Sequence, residues 1–193
     1  MKEFFIGIDP GLTGGVAVID NQENVLLCIP MPLKGKELDA RLLATYIQRY
    51  SKKGNLLAVL EKVAAMPGQG VCAMFTFGQV VGEIKSVLKV LAVPYQEVRP
   101  IAWKAVILAG LPWKADYQRL KLEKGLSPAE EKEIRKVHNS KKAKAKKEAK
   151  LVGCTFINRR FPTLDINLGK KNPHDGMAEA LCMALYAKKL RYN

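Results

Sequence analysis

The first thirty residues constrain the fold most. Residues 4–9 form an apolar run that ends on Asp9 and is cut off at once by Pro10 and Gly11. A second apolar run covers residues 16–20 and a third residues 25–29, with only a few turn residues between each and the next. Each run has the length of a strand and is too short for a helix. Parallel neighbours need a crossover of a dozen or more residues, so links this short predict an antiparallel meander.

Beyond the meander the pattern alternates. Residues 37–52 place Leu38, Leu42, Leu43, Tyr46 and Ile47 at helical spacing, and residues 56–63 are an apolar run of strand length that contains Glu61. A Met66-Pro67-Gly68-Gln69-Gly70 loop precedes an expected helix over about 72–92, then a short strand over 95–98. Pro100 stands where a proline opens a helix, which Gly110 ends. The order predicts an α/β fold: a mixed five-stranded sheet, three strands antiparallel and then two parallel, flanked by helices. Residues 111–140 are polar after Trp113 and read as a basic insertion, partly helical around 128–137, in a single domain covering 1–193. Residues 140–160 regain helical character, with Ala145, Ala149, Val152 and Phe156 as a narrow apolar stripe. A last helix is expected from near Pro173 to Leu190.

Charge divides the chain. Of 193 residues, 32 are Lys or Arg and 18 are Asp or Glu, a formal net charge of +14. Residues 1–98 hold 10 basic against 9 acidic side chains, a net of +1; residues 99–193 hold 22 against 9, a net of +13. The first half therefore reads as scaffold and the second as the footprint of a polyanion, nucleic acid before an anionic membrane. The four cysteines, Cys28, Cys72, Cys154 and Cys182, form no C-x-x-C pair and lie in apolar contexts, so they are expected to be buried thiols in a reducing, intracellular compartment. No secretion signal is expected, because Asp9-Pro10-Gly11 breaks the first apolar stretch, and no apolar run reaches spanning length.

Four carboxylates stand out. Asp9 and Glu61 each lie near the end of an apolar strand, where an acid is costly without solvent, a partner or a cation. Asp175 and Glu179 are four apart at the start of the last helix, hence on one face, and Glu179 is the only charged residue from Gly176 to Ala187. Singly, each has an ordinary explanation: a turn cap for Asp9, a helix-dipole partner for Asp175, a lysine pair for Glu179. Together they can converge on one rim of the sheet. Four such acids would repel one another unless cations neutralise them, and hard oxygen ligands select Mg²⁺ or Mn²⁺.

At this point the residues resemble a known family. Ile6-Gly-Ile-Asp-Pro-Gly-Leu-Thr-Gly-Gly15 looks like the first strand and turn of the RuvC-type Holliday junction resolvases, Leu60-Glu61-Lys62-Val63 like their second acidic strand, and His174-Asp175-Gly-Met-Ala-Glu179-Ala-Leu181 like their last acidic helix. The 66–70 loop with Phe75-Thr-Phe-Gly78 is most similar to the chloroplast-type resolvases and their phage or bacterial relatives. The likeness covers residues 4–109 and 140–188. One departure is that bacterial RuvC carries two aspartates three apart in the last helix, whereas this chain has Gly176 at the first position and Asp175 one residue earlier. The resemblance implies an RNase H-like fold and a homodimer that cuts four-way DNA junctions, leaving 5′-phosphate and 3′-hydroxyl ends. It also implies two Mg²⁺ ions per site, replaceable by Mn²⁺, about 3.5–4 Å apart, one activating a water and the other stabilising the leaving 3′ oxygen. Asp9 would bridge them, with Glu61, Asp175 and Glu179 completing the ligands; no small-molecule cofactor and no membrane partner is implied.

Candidate DNA contacts come from three places. The densest basic run, residues 134–150, includes Lys141, Lys144 and Lys147 and leads into the acidic region. Lys104 matches a lysine near the site in RuvC enzymes. Met66, Gln69 and Phe75 surround the glycine-rich loop, where an apolar side chain could wedge at a strand-exchange point, although core packing explains Phe75 and Phe77 equally well. Three rivals remain: an actin-like kinase, which needs a second lobe and a second phosphate segment; an RNase H-type enzyme on RNA–DNA hybrids; and a non-catalytic nucleic-acid binder.

Overall fold

The computed structural model describes residues 2–64, 70–117, 120–122 and 125–192. Its main sheet has the expected five strands in the expected directions. β1 (Glu3–Asp9) pairs antiparallel with β2 (Gly15–Asp20), and β2 with β3 (Val25–Pro30). On the other side of β1, β6 (Asn55–Glu61) pairs parallel, and β7 (Tyr95–Val98) pairs parallel with β6, giving the order β3-β2-β1-β6-β7. This is a mixed five-stranded sheet, three strands antiparallel and two parallel. A two-stranded hairpin of β4 (Leu33–Lys34) and β5 (Glu37–Leu38), not anticipated, precedes α1 (Ala40–Ser51). It shortens the expected 37–52 helix because Asp39 caps it, its side chain accepting from the Leu42 N–H at 2.8 Å.

Side chains alternate across the sheet, and both faces are covered. Phe4, Ile6 and Ile8 point to one face, where α1 contributes Leu43 and Ile47 and α2 (Val71–Val90) contributes Val80, Ile84 and Leu88. Phe5, Ala17, Ile19 and Val59 point to the other, against α3 (Pro100–Ile107), the end of α4 (Pro128–Arg160) and α5 (Asp175–Tyr192). α5 is buried on nearly every side, which explains a sequence apolar all round. It lies directly on β1 because Gly7 has no side chain: a Cβ there would sit 1.9 Å from the Ala180 carbonyl oxygen. Gly176 plays the same part at the helix start, where a Cβ would sit 2.5 Å from the Thr13 carbonyl oxygen.

Three expectations need correction. The insertion's helix and the 140–160 helix are one continuous 33-residue α4. Ser127 and Glu130 form a reciprocal capping box, Pro128 opens the helix, and no Gly or Pro occurs from 129 to 152, so Asn139 and Ser140 do not break it. Cys154 and Cys182 are buried, but Cys72 is exposed on α2 and Cys28 is only partly covered. α2 is also, by length and composition alone, apolar enough to cross a membrane; Glu83 and Lys85 hide this in a search for uninterrupted runs.

Candidate active site

Parallel pairing sets the first two acids side by side. Ile8 is in register with Leu60, so Asp9 and Glu61 follow at the carboxyl ends of adjacent central strands. The close approach of α5 at Gly7 then brings Glu179, the residue before Ala180, over the same edge. Carboxylate oxygens of Asp9, Glu61 and Glu179 all lie within 4.8 Å of one another. Burial, followed by the charges of Glu179, Glu61 and Asp175, holds the Asp9 carboxyl well above the usual carboxylate range. Burial and Glu179 also raise Glu61, against a hydrogen bond from Trp103 and the nearby Lys104 charge. A site that resists ionisation in this way, built of hard oxygen donors, fits a divalent cation.

The fourth acid stands apart from this group. Asp175 begins α5 and turns its carboxylate to Lys150 Nζ at 2.7 Å, while its other oxygen accepts from the Gly176 N–H at 3.1 Å. Partial burial opposes ionisation, but the Lys150 bond and charge outweigh it and hold Asp175 below its ordinary value. The i, i+4 spacing therefore keeps Asp175 near Glu179 without bringing it into the three-carboxylate cluster. His174 supports the same turn, its Nδ1 accepting from the Met177 N–H at 3.2 Å.

Two other basic or aromatic partners complete the rim. Lys104 Nζ lies 2.6 Å from Glu179 Oε1, with both side chains largely buried. Trp103, fully buried, donates its indole N–H to Glu61 Oε1 at 3.1 Å. No motif announced Trp103; the signal available was a tryptophan in the first helix after the second parallel strand. Lys150 figured only as one member of a basic run. Of the remaining expected contacts, Lys147 shares the side of α4 that carries Lys150, whereas Lys144 lies about 120° round the helix and Lys141 opposite, at 100° per residue. Phe75 is 68% exposed on α2, so core packing does not explain it, while Phe77 is half-buried and near Gly11. Met66 and Gln69 lie outside the described residues.

No protein-family model matches the chain, and no curated protein matches it. Among solved structures, the chain is similar to RuvC. One is Thermus thermophilus RuvC in complex with a Holliday junction substrate, at 13% identity and a TM-score of 0.47, covering 98% of this chain and 96% of that one. Another is Thermus thermophilus RuvC at 14% identity and a TM-score of 0.41, covering 100% of this chain and 96% of that one. The junction belongs to that complex; for the present chain, what bears on activity is the carboxylate cluster and its basic surroundings.

Proposed function

We propose that the chain is a metal-dependent endonuclease that resolves four-way DNA junctions. The observation that carries this reading is the convergence of Asp9, Glu61 and Glu179 at the carboxyl edge of the sheet, bordered by lysines from two helices. The three acids, with Asp175 beside them, would hold two Mg²⁺ ions, with Mn²⁺ as a substitute. When bound, such ions supply an activated water and stabilise the leaving 3′ oxygen, which gives 5′-phosphate and 3′-hydroxyl ends.

The chain's own residues have definite parts in this scheme. Trp103 fixes the orientation of Glu61 through its indole N–H, so the carboxylate keeps its position when the cluster ionises. Lys104 and Lys150 neutralise Glu179 and Asp175 and, at 2.6 and 2.7 Å, can re-aim their ammonium groups at phosphate oxygens once cations take over the acids. Lys147 lies one turn further along α4 for a neighbouring phosphate. Lys141 and Lys144 would add to the general attraction of the basic run. Met66, Gln69 and the exposed Phe75 are the proposed contacts at the strand-exchange point.

A four-way junction has near two-fold symmetry, and a C2 dimer would present two sites to it. Support for a second copy comes from α2, whose outer side exposes Val71, Phe75 and Val90 and carries Gly78, Gly82 and Ser86 at four-residue spacing. The deciding experiment incubates the protein with end-labelled four-way junction, linear duplex and RNA–DNA hybrid, with and without Mg²⁺. Paired, Mg²⁺-dependent cuts confined to the junction support the proposal. Cleavage of the hybrid alone would make the chain an RNase H-type enzyme, and binding without cleavage would make the acids structural.

A further inference from the structure

The amino-terminal two thirds of α4 carries its charges in a definite pattern. Lys132 and Lys150 are eighteen residues apart, five full turns at 3.6 residues each, so their side chains leave the helix in the same direction. Within about 60° of that direction lie Arg135, Lys136, Lys146 and Lys147, with only the uncharged Asn139 and Ala143 between them. The helix's four acids, Glu130, Glu131, Glu133 and Glu148, all lie about 100° or more away. One end of this face is fixed at the carboxylate cluster by the Lys150–Asp175 bond.

The opposite side of the helix meets the preceding segment only in part, Ile134 and Val137 remaining 38% and 46% exposed. Ile134 and Val137 face Leu120 and Tyr117 of the preceding segment across a shallow hollow, and the Tyr117 ring meets His138 edge-on at 6.4 Å. Lys142 reaches over the same Tyr117 ring, its Nζ 5.3 Å from the centroid. This contact lies on the side of α4 away from the basic face, which stays exposed to solvent. A solvated helix surface normally mixes its charges, because like charges four apart, such as Lys132 with Lys136 and Lys146 with Lys150, destabilise it. The pairs Arg135–Glu131 and Lys136–Glu133 are exposed and weak, so both cations are free to exchange partners.

We infer that this face is a rail for the double-helical arm leading away from the cleavage point, so that the insertion lengthens the DNA footprint of each protomer. The inference rests on the nuclease reading above and specifies how the arm is held. From Lys132 to Lys150 the rail is about 27 Å long, which matches about 8 base pairs at 3.4 Å each. It includes Lys147 and leaves Lys141 and Lys144 on the far side of the helix. Its contacts are to phosphates, so it reads arm length and not sequence.

The test uses four-way junctions with arms closed by hairpin loops, about 5 or about 15 base pairs long, a choice set by that footprint. Affinity is measured by fluorescence anisotropy in EDTA over a salt series. The double variant Lys132→Ala/Lys136→Ala removes two exposed cations from the distal end of the rail. It is expected to keep the parent's melting temperature and its affinity for short arms. On long arms it should bind more weakly by several tens of times for each protomer engaged at about 0.1 M salt, with a log–log salt slope shallower by about 1.8 per protomer. The matched variant Lys141→Ala/Lys144→Ala removes the same charge from the other side and should change affinity for either junction by less than about threefold, a bulk-field effect only. Equal losses for the two variants, or a Lys132→Ala/Lys136→Ala loss that ignores arm length, would overturn the rail while leaving junction binding intact. A parent that binds neither junction would remove the nuclease reading and the rail together.

Discussion

Replacing Gly7 by Ala would put a methyl group where the backbone of α5 already is. The new Cβ would sit 1.9 Å from the Ala180 oxygen and 2.4 Å from the Ala184 nitrogen. Real Cβ contacts essentially never fall under 3.0 Å, so β1 and α5 must separate by about 1.1 Å, the difference between 1.9 and 3.0 Å. No flexible side chain can absorb this, because both neighbours are backbone. Overpacking of that kind costs about 3 kcal/mol or more, which for a chain of this size lowers the melting temperature by about 6–12 °C. The same shift carries Glu179 away from Asp9 and Glu61, whose oxygens now lie within 4.8 Å of one another. A displacement of about 1 Å is expected to cut nicking on the order of 10²-fold even well below the transition. The control is Gly153→Ala in α4, where an added Cβ meets nothing within 4 Å. It should stabilise by up to about 1 kcal/mol through helix propensity alone. Differential scanning fluorimetry and Mg²⁺-dependent junction nicking at 20 °C to 25 °C, roughly the reference temperature of these magnitudes, measure both effects. A Gly7→Ala protein that melts with the parent and nicks at its rate would refute the close-approach argument.

Three other outcomes follow from the site. Asp9→Asn should abolish Mg²⁺-dependent cleavage while junction binding in a gel-shift assay survives, since it removes negative charge facing DNA; nicking at the parent's rate would show that Asp9 is not a ligand. At a Mg²⁺ concentration ten times Kd, binding to the folded state should stabilise the parent by about 1.4 kcal/mol, a rise of about 3–6 °C in melting temperature. Glu179→Gln should lose most of that response in parallel melts with Mg²⁺ and with EDTA. Because Asp9 and Glu61 are raised in the folded state, the metal-free protein holds protons there that the unfolded chain releases. Their contribution to stability is therefore full below the ordinary carboxylate pKa and is lost as pH rises through the raised values. The lowered Asp175 acts in the opposite sense, its contribution present above the ordinary value and lost on acidification. Metal-free melts of parent and Asp9→Asn across that range should converge at low pH and diverge as pH rises, with the variant the more stable; parallel curves would contradict the assignment of the raised group to Asp9.

The sequence by itself determined the strands and their directions. Short turns between three apolar runs make a meander and the alternation after residue 37 makes crossover connections, but the placement of β6 beside β1, at the centre of the sheet, was decided by tertiary packing. The sequence also pointed to Asp9, Glu61, Asp175 and Glu179, because an acid in an apolar run is conspicuous. Tertiary structure decided which of them meet. Asp9 and Glu61 become neighbours through the parallel register of β1 and β6, and Glu179 joins them because Gly7 lets α5 touch β1. Asp175 is diverted by Lys150, twenty-five residues earlier on another helix, a pairing that no local pattern encodes. The same holds for Trp103 with Glu61 and Lys104 with Glu179, which are 42 and 75 residues apart in the chain. Composition revealed the basic run, but the direction of its charges could be read only once α4 proved continuous, because helical phase is preserved across five turns only if nothing interrupts them.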